Sequence, residues 1–248
     1  MNKKIKKIVT TILSVGILGV FGFAGKANAA VAWNSNQQYG SWNNGGYTIY
    51  NDVWGAGAGV QTIWANSYSN WGVWANHPNT DGIKSYPNVS KTINKNISSI
   101  STLSSSFNVT VPKSGTSMET AYDIWVGNNA HEIMLWMNQY GSVKPISYNY
   151  NAQGNPIPVY SNVKVGGHTW NVYRGNNRAN MVYSFVRTSN TNSGTVDVKA
   201  ILNWIKNTPK WFGDLTVGQV QFGYEITSSY NNGSGYNFYT NSYSLTSK

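Results

Sequence analysis

The chain alternates between apolar and polar residues over many short stretches, which is the pattern of β-strands. Each stretch is rich in Val, Ile, Thr and aromatic residues, and Gly, Asn, Ser or Pro bounds it. The stretches read YTIYNDVW, SSFNVTVPKSG, TAYDIWV, HEIMLWMN, HTWNVYRG, NMVYSFVR and VGQVQFGYEI. Many short strands with turn signals between them predict an all-β fold of two packed antiparallel sheets, a β-sandwich.

One segment, VKAILNWIKN, has helical periodicity instead. Its apolar residues recur at intervals of three and four positions: Val198, Ile201, Leu202 and Ile205. Asp197 precedes the segment and can cap its N-terminus, and Pro209 follows its end. The sequence therefore predicts one short α-helix in a fold otherwise built of strands.

The stretch HEIMLWMN carries a carboxylate among large apolar residues. Alternate side chains of a strand face opposite sides, so Glu132 shares its face with Met134, Trp136 and Asn138. The other face is expected to pack into the core and carries His131, Ile133, Leu135 and Met137. We therefore predict that Glu132 lies in a cleft lined by Met and Trp.

A second acid is predicted to lie beside Glu132. The preceding stretch, AYDIWV, is joined to HEIMLWMN by residues 127–130 (GNNA), a sequence typical of a tight hairpin turn. With the two asparagines in the turn, Trp125 faces Glu132 and Asp123 faces Met134. Asp123 then becomes a diagonal neighbour of Glu132, at about 7–8 Å between backbone positions.

A third acid comes from a distant stretch, VQFGYEITSS, where apolar and polar residues alternate and Glu225 lies on the polar side. The chain has one further Glu, Glu119, in SGTSMET, which we predict to be a loop. Glycoside hydrolysis requires two carboxyl groups, one to attack or stabilise the anomeric carbon and one to protonate the departing oxygen. Two unrelated surface acids are the alternative interpretation of Glu132 and Glu225.

The N-terminal sequence has the order of a secretory signal peptide. A basic start, MNKKIKK, precedes the apolar run IVTTILSVGILGVFGFAG and a small-residue site that ends at Ala29. We predict that residues 1–29 are cleaved off, that residues 30–248 form a single catalytic domain, and that the protein is secreted to the extracellular space. A retained membrane anchor is the alternative; after cleavage no membrane association is expected.

Charge and composition narrow the class of ligand. The formal net charge is +10, but five of the 18 basic residues lie in the signal segment, which leaves 13 against 8 acids. No basic run remains, so a nucleic acid partner is not expected. Cysteine is absent, whereas 11 Trp and 17 Tyr are present. Such a weakly charged, aromatic-rich chain suits a neutral sugar polymer, because aromatic faces cover the CH faces of sugar rings.

Two short motifs are set aside. HEIML begins like the zinc signature H-E-x-x-H, but Leu135 takes the place of the second His. WGAGAGV suggests a dinucleotide loop, but Val60 takes the place of the last glycine and no helix is expected after it. We therefore expect neither a metal site nor a cofactor.

Together these stretches resemble glycoside hydrolase family 12. The resemblance covers the whole mature chain: NDVWGAGAG, AYDIW, EIMLW, MVYSFV, the single helix and FGYE occur in the family's order. The Glu-x-Met-x-Trp and Phe-Gly-x-Glu motifs are its most specific parts. The resemblance implies a β-jelly roll with a concave substrate cleft and the activity of a secreted endo-β-1,4-glucanase or xyloglucanase.

The resemblance also implies residue roles. It makes Glu132 the nucleophile of a retaining mechanism, Glu225 the general acid and then base, and Asp123 the carboxyl group that supports the nucleophile. The candidate substrate-binding residues are the aromatic side chains of the cleft and their neighbours on the face of Glu132: Trp54, Trp125, Met134 and Trp136. The expected partner is a β-1,4-glucan, bound by a monomer.

The sequence leaves the substrate open among cellulose, mixed-linkage glucan and xyloglucan, because their discrimination depends on loop shape. A non-catalytic carbohydrate-binding protein with the same cleft is the main rival interpretation, and a structural surface protein is a more distant one. Hydrolysis of a glucan, rather than binding alone, distinguishes an enzyme from both.

Overall fold

The computed structural model describes residues 31–248, which form one unit. The predicted signal peptide, residues 1–29, lies outside the described residues and stays a prediction. Among the described residues, no helix has the length and hydropathy that a membrane crossing requires.

The described chain contains fifteen strands, one α-helix and one short 3-10 helix at Ile97–Ser99. The strands are β1 (Trp33–Ser35), β2 (Ser41–Asn44), β3 (Tyr47–Tyr50), β4 (Val60–Ser67), β5 (Asn70–Asn76), β6 (Asn88–Asn96), β7 (Leu103–Thr110), β8 (Ser117–Val126), β9 (His131–Tyr140), β10 (Tyr160–Val165), β11 (His168–Asn176), β12 (Met181–Arg187), β13 (Ser193–Asp197), β14 (Thr216–Ser228) and β15 (Tyr236–Ser247), and the helix is α1 (Val198–Asn207).

The strands form two sheets, as the alternating pattern predicts. One sheet has six strands in the order β1-β4-β5-β15-β7-β13, and the other has nine in the order β10-β11-β12-β9-β8-β14-β6-β3-β2. The all-β prediction, a two-sheet sandwich of jelly-roll type with one helix, is confirmed. One detail is wrong, because β9 and β12 pair in parallel. Parallel neighbours need a long crossover, and residues 141–180, which include the β10–β11 hairpin, provide it.

The main core lies between the two sheets. Its side chains come from the inward positions of the alternating strands, such as Ile133 and Leu135 of β9 and Phe222 of β14. Aromatic rings join the sheets: Phe222 stacks on Tyr243 of the six-stranded sheet, with ring centroids 5.1 Å apart. Burying each such side chain stabilises the fold by about 1.5–3 kcal/mol, so the inner face of each strand is fixed by packing.

The hairpin between β8 and β9 has the predicted register. Trp125 pairs with Glu132, and Asp123 pairs with Met134. The turn residues Asn128 and Asn129 have φ angles of 54° and 65°. Asn tolerates this left-handed conformation better than most residues, and a two-residue turn of this kind matches the twist of the flanking strands.

Further along the hairpin, the register shifts by one residue. Thr120 pairs with Asn138, whereas Ala121 pairs with Trp136, so Met137 is an extra residue in β9. The Asn138 side chain spans the bulge: its Oδ1 accepts a hydrogen bond from the Thr120 N–H at 3.1 Å. Bulges bend and twist the strand that carries them, and this one lies next to the candidate site.

Helix α1 begins and ends where the sequence predicts. The Asp197 carboxylate accepts a hydrogen bond from the Ala200 N–H at 2.9 Å, so it caps the N-terminus. The predicted apolar stripe is buried and packs on the β7 and β10 side of the fold: Val198, Ile201, Leu202 and Ile205.

Replacing Asp197 by Ala is expected to lower the free energy of unfolding by about 1 kcal/mol, because the helix loses its capping acceptor. Urea denaturation followed by circular dichroism measures the change. Asp197→Asn keeps an acceptor and is the matched control, expected to stay close to the wild type. Equal stabilities of the Ala variant and the wild type would contradict the capping role.

Candidate active site

The nine-stranded sheet has a second buried face, opposite the main core. Outward residues of β8, β9 and β12 form a small apolar cluster there: Ala121, Met134, Trp136, Val182 and Val186, with Val143, Ile146 and Tyr173 packed at its margin. The acids of the candidate site project from the same face of the sheet as this cluster, which we call the apolar floor. The predicted separation of the two faces of β9 is therefore correct from His131 to Met137, but the prediction for Asn138 was wrong: after the bulge Asn138 pairs with Thr120 and no longer shares the face of Glu132.

Glu132 stands on this face of β9 and is buried. The Asn177 amide, from the turn between β11 and β12, donates a hydrogen bond to its Oε2 at 3.1 Å. Burial raises the pKa of Glu132 to about 7, because a charge is less stable away from water. Glu132 is thus a carboxyl group that changes its charge near neutral pH.

Sequence reasoning missed Asn177. It lies in a polar stretch, RGNNRAN, of a chain rich in asparagine, so its type and spacing carry no signal. Its contact with Glu132 depends on the parallel pairing of β12 with β9, in which Val182 pairs with Glu132. That pairing places the start of β12, and the turn before it, beside the carboxylate.

Asp123 lies on β8, diagonal to Glu132 as the register predicts, and it is buried. Its Oδ1 has no hydrogen-bond partner among the described residues. Its pKa is raised well above the usual range by burial first, and then by the charges of Glu132, Glu225 and Asp52. Asp123 therefore holds its proton to a higher pH than an ordinary Asp does, and in its protonated form it can donate a hydrogen bond.

Glu225 lies on β14, which pairs with the other edge of β8. Burial of its carboxyl group raises its pKa well above the usual range, and neighbouring Glu119 and Glu132 raise it further. The structure thus brings the three predicted acids to three adjacent strands, β9, β8 and β14.

The prediction for Glu119 was wrong. It lies within β8 rather than in a loop, directly opposite Glu225, and is only 1% exposed. The Ser, Thr and Gly residues of SGTSMET suggested a loop, but the strand begins at Ser117. The period of two that places Asp123 and Trp125 on the cleft face extends back to Glu119, and this signal was available in the sequence.

Asp52 is a further acid at the site that sequence reasoning missed. It precedes β4 in a strained backbone conformation, with a φ angle of 44°, and burial raises its pKa to about 6. Its charge acts on Asp123. Nothing in NDVW distinguishes this Asp from a turn residue, so only the fold reveals its place in the cleft.

The predicted substrate-binding side chains differ in exposure. Trp54 is 47% exposed, and Trp125 is partly exposed, with its Nε1–H donating to Gln221 Oε1 at 3.0 Å. Met134 and Trp136 are only 5% and 3% exposed because they belong to the apolar floor. A ring so covered offers little face for stacking on a sugar.

A cavity of about 240 Å³ opens beside Glu225. Its walls come from the segment before β6, the segment after β9, and strands β8 and β14: Asp81, Gly82, Ile83, Glu119, Ser142, Val143, Lys144, Glu225 and Thr227. The buried Lys84 ammonium group fixes the first of these segments by donating to the carbonyl groups of Thr80, Asp81 and Gly82.

Within residues 31–248, no group of three or more His, Asp or Glu side chains is arranged to hold a metal ion. The chemical groups of the site are carboxyl groups with raised pKa values next to an apolar cluster, with the exposed Trp54 in the segment that holds Asp52. This arrangement can supply both an ionised carboxylate and a protonated carboxylic acid near neutral pH, the pair that glycoside hydrolysis needs.

Comparisons with known proteins agree with this chemistry. The family model described as glycosyl hydrolase family 12 matches residues 45–247. A protein of Aspergillus fumigatus named "Probable xyloglucan-specific endo-beta-1,4-glucanase A" is 31% identical over 219 residues, which cover 83% of this chain and 89% of that protein.

Solved structures extend the likeness to the fold. The xyloglucanase domain of NopAA, a type three effector from Sinorhizobium fredii solved with cellobiose, is 53% identical, with a TM-score of 0.84 over 88% of this chain and 100% of that one. A family 12 xyloglucanase from Bacillus licheniformis is 25% identical, with a TM-score of 0.73 over 87% and 100%. The chain therefore belongs to glycosyl hydrolase family 12.

Proposed function

We propose that the protein hydrolyses internal β-1,4-glucosidic bonds of a glucan, with xyloglucan as its preferred substrate and with retention of the anomeric configuration. The observation that carries this proposal is the placement of two carboxyl groups, Glu132 and Glu225, on one face of the sheet, on strands that flank β8. Burial raises the pKa of Glu132 to about 7, and burial together with neighbouring acids raises the pKa of Glu225 well above its usual range. A retaining hydrolase needs one carboxyl group ionised and the other protonated at the same time.

In the first step, ionised Glu132 attacks the anomeric carbon and forms an ester with the sugar. The bond from that carbon to the leaving oxygen breaks, and the leaving oxygen takes the proton of Glu225. In the second step, water attacks the same carbon, Glu225 takes a proton from the water, and Glu132 departs as a carboxylate. Two inversions at one carbon give net retention.

Asp123 and Asn177 support Glu132 in this scheme. Asp123 is a diagonal neighbour of Glu132 and its pKa is raised well above the usual range, so in its protonated form it can donate a hydrogen bond to the ionised nucleophile. The Asn177 amide already donates one. Donors of this kind favour the charged form of Glu132 and so oppose the effect of burial.

Substrate binding is assigned to exposed aromatic side chains near the acids. Trp54 presents almost half of its surface to solvent and suits stacking on a glucose ring. Trp125 is held by its bond to Gln221 beside the nucleophile. Met134 and Trp136 form the apolar floor, which keeps the reacting carboxyl groups away from bulk water.

Two features support a polymeric xyloglucan as the substrate. The Sinorhizobium fredii domain, at 53% identity, is named a xyloglucanase, and the Aspergillus fumigatus relative is named xyloglucan-specific. An enzyme that acts on a glucan polymer outside the cell must be exported. The signal-peptide pattern of residues 1–29 fits this export, and we propose that the mature chain acts as a secreted monomer.

Glu132→Gln and Glu225→Gln are each expected to lower kcat on xyloglucan, because one removes the attacking group and the other the proton donor. A general acid contributes about 10²–10⁴-fold, and losing the nucleophile is expected to cost at least as much. Reducing-end release measures the rates.

The exposed Asp214, whose carboxylate binds Ser98 away from the cleft, provides the matched control Asp214→Asn. Its activity is expected to equal that of the wild type. Hydrolysis at wild-type rates by both Glu variants would refute the assignment, and absence of hydrolysis by the wild type would favour a binding protein.

Initial rates on xyloglucan, barley β-glucan and carboxymethyl cellulose test the substrate proposal. We expect the highest kcat/KM on xyloglucan, because one relative, at 53% identity, is named a xyloglucanase and another, at 31% identity, is named xyloglucan-specific. A higher kcat/KM on an unbranched glucan would show that the cleft does not use the xylose branches.

A further inference from the structure

Glu119 and Glu225 form a pair of carboxyl groups that the catalytic scheme does not yet use. They are opposed in the β8–β14 register, and side chains of directly opposed residues start about 4.5–5.5 Å apart. Both side chains line the same cavity, and their carboxyl groups are close enough to affect each other's pKa through a hydrogen bond. Two carboxyl groups can form such a bond only if at least one of them carries a proton.

The surroundings of Glu119 leave it no other charged partner. It is buried, its neighbour on β9 is the neutral Gln139, and its Oε2 has no hydrogen-bond partner among residues 31–248. Lys144 lines the same cavity, but its ammonium group is exposed and donates to the Gly154 carbonyl. A buried carboxyl group without a cation is most stable when it is protonated or shares a proton.

Every element packed around the pair contributes charged or titratable groups. Most are acids or neutral phenols, and the buried Lys84 is occupied by three carbonyl groups. The facing groups are Asp123 on β8, Glu132 on β9, Asp81, Lys84 and Tyr86 before β6, and Lys144 after β9. Acids outnumber free cations at the site, so the surroundings favour retention of protons.

The two members of the pair are not equivalent. Burial raises the pKa of Glu119 to about 8, while its bond with Glu225 lowers that pKa. The same bond, with burial and the charge of Glu119, raises the pKa of Glu225. When the pair loses its first proton, the remaining one therefore stays on Glu225, with Glu119 as the acceptor.

We propose that Glu119 is a positioning residue that shares a proton with Glu225 and keeps the catalytic acid protonated into the alkaline range, an inference that rests on the proposed role of Glu225. Below the first ionisation, the pair holds two protons. Transfer of one to the leaving oxygen leaves a single proton between the two carboxyl groups. Glu225 regains the second proton from the attacking water, and the pair returns to its starting state.

The chain offers a direct way to observe this pair, since Glu119, Glu132 and Glu225 are its only glutamates. Labelling glutamate with ¹³C at the δ carbon gives three carboxyl signals, all from the site. We expect the Glu119 signal to titrate near pH 8 and the Glu225 signal to respond at the same midpoint, with Glu132 near pH 7. Independent curves for Glu119 and Glu225, each near the ordinary value of about 4.3, would overturn the proposal.

Glu119→Gln tests the function of the pair, because the amide keeps the shape of the side chain and removes its charge. The alkaline limb of kcat/KM on xyloglucan is expected to move to lower pH by about one unit, since ionised Glu119 no longer holds the proton on Glu225. This shift is a tenfold loss on the falling limb. The control Asp214→Asn is expected to leave the limb in place.

The outcomes separate this proposal from the proposed function. An unmoved alkaline limb in Glu119→Gln, together with loss of activity in Glu225→Gln, would leave Glu225 as the acid and reduce Glu119 to a structural residue. Wild-type activity in Glu225→Gln would refute the function itself. If Glu119→Gln does not fold, the titration of the wild-type carboxyl groups still decides whether the pair exists.

Discussion

Carboxyl groups crowded on one buried face of the sheet are the constraint on which the site depends. Two carboxylates about 5 Å apart repel by about 3 kcal/mol at an effective dielectric constant of about 20. This exceeds the net value of an ordinary hydrogen bond, about 1 kcal/mol. Asp123, Glu132 and Glu225 each act on one another in this way, so they cannot all be ionised at neutral pH. The chemical roles proposed for these residues rest on this crowding, which raises the pKa values of Asp123 and Glu225.

The register of the strands determines which side chains face the site. In a strand, a shift of one residue moves every side chain to the opposite face. A slip in the β8–β9 hairpin would place Glu132 in the main core and Ile133 in the cleft. The turn at Asn128 and Asn129 fixes the alignment of the two strands and so prevents this slip. The packing of Ile133 and Leu135 in the main core also prevents it, because it keeps their face of β9 directed inward. Catalytic placement therefore depends on the same contacts that stabilise the fold.

Local sequence patterns predicted the structural features that depend on residues close together in the sequence. The helical period and the capping residue Asp197 predict where α1 begins and ends. The tight turn between β8 and β9 predicts that Trp125 lies opposite Glu132. The patterns did not predict which distant strands are neighbours. Glu119 meets Glu225 only because β14 lies beside β8, and Asn177 meets Glu132 only because β12 runs parallel to β9. The burial of Trp136 likewise depends on Val182 and Val186, from a strand more than forty positions away.

In the proposed mechanism, Glu132 forms a covalent bond with the sugar while Glu225 serves as acid and base. A 2,4-dinitrophenyl 2-deoxy-2-fluoro-β-cellobioside slows the second step and traps the glycosyl-enzyme, and mass spectrometry of the digested protein locates the sugar. We expect one sugar, attached to the peptide that contains Glu132. A sugar on Glu119, Asp123 or Glu225, or inverted product formed with no adduct, would contradict it.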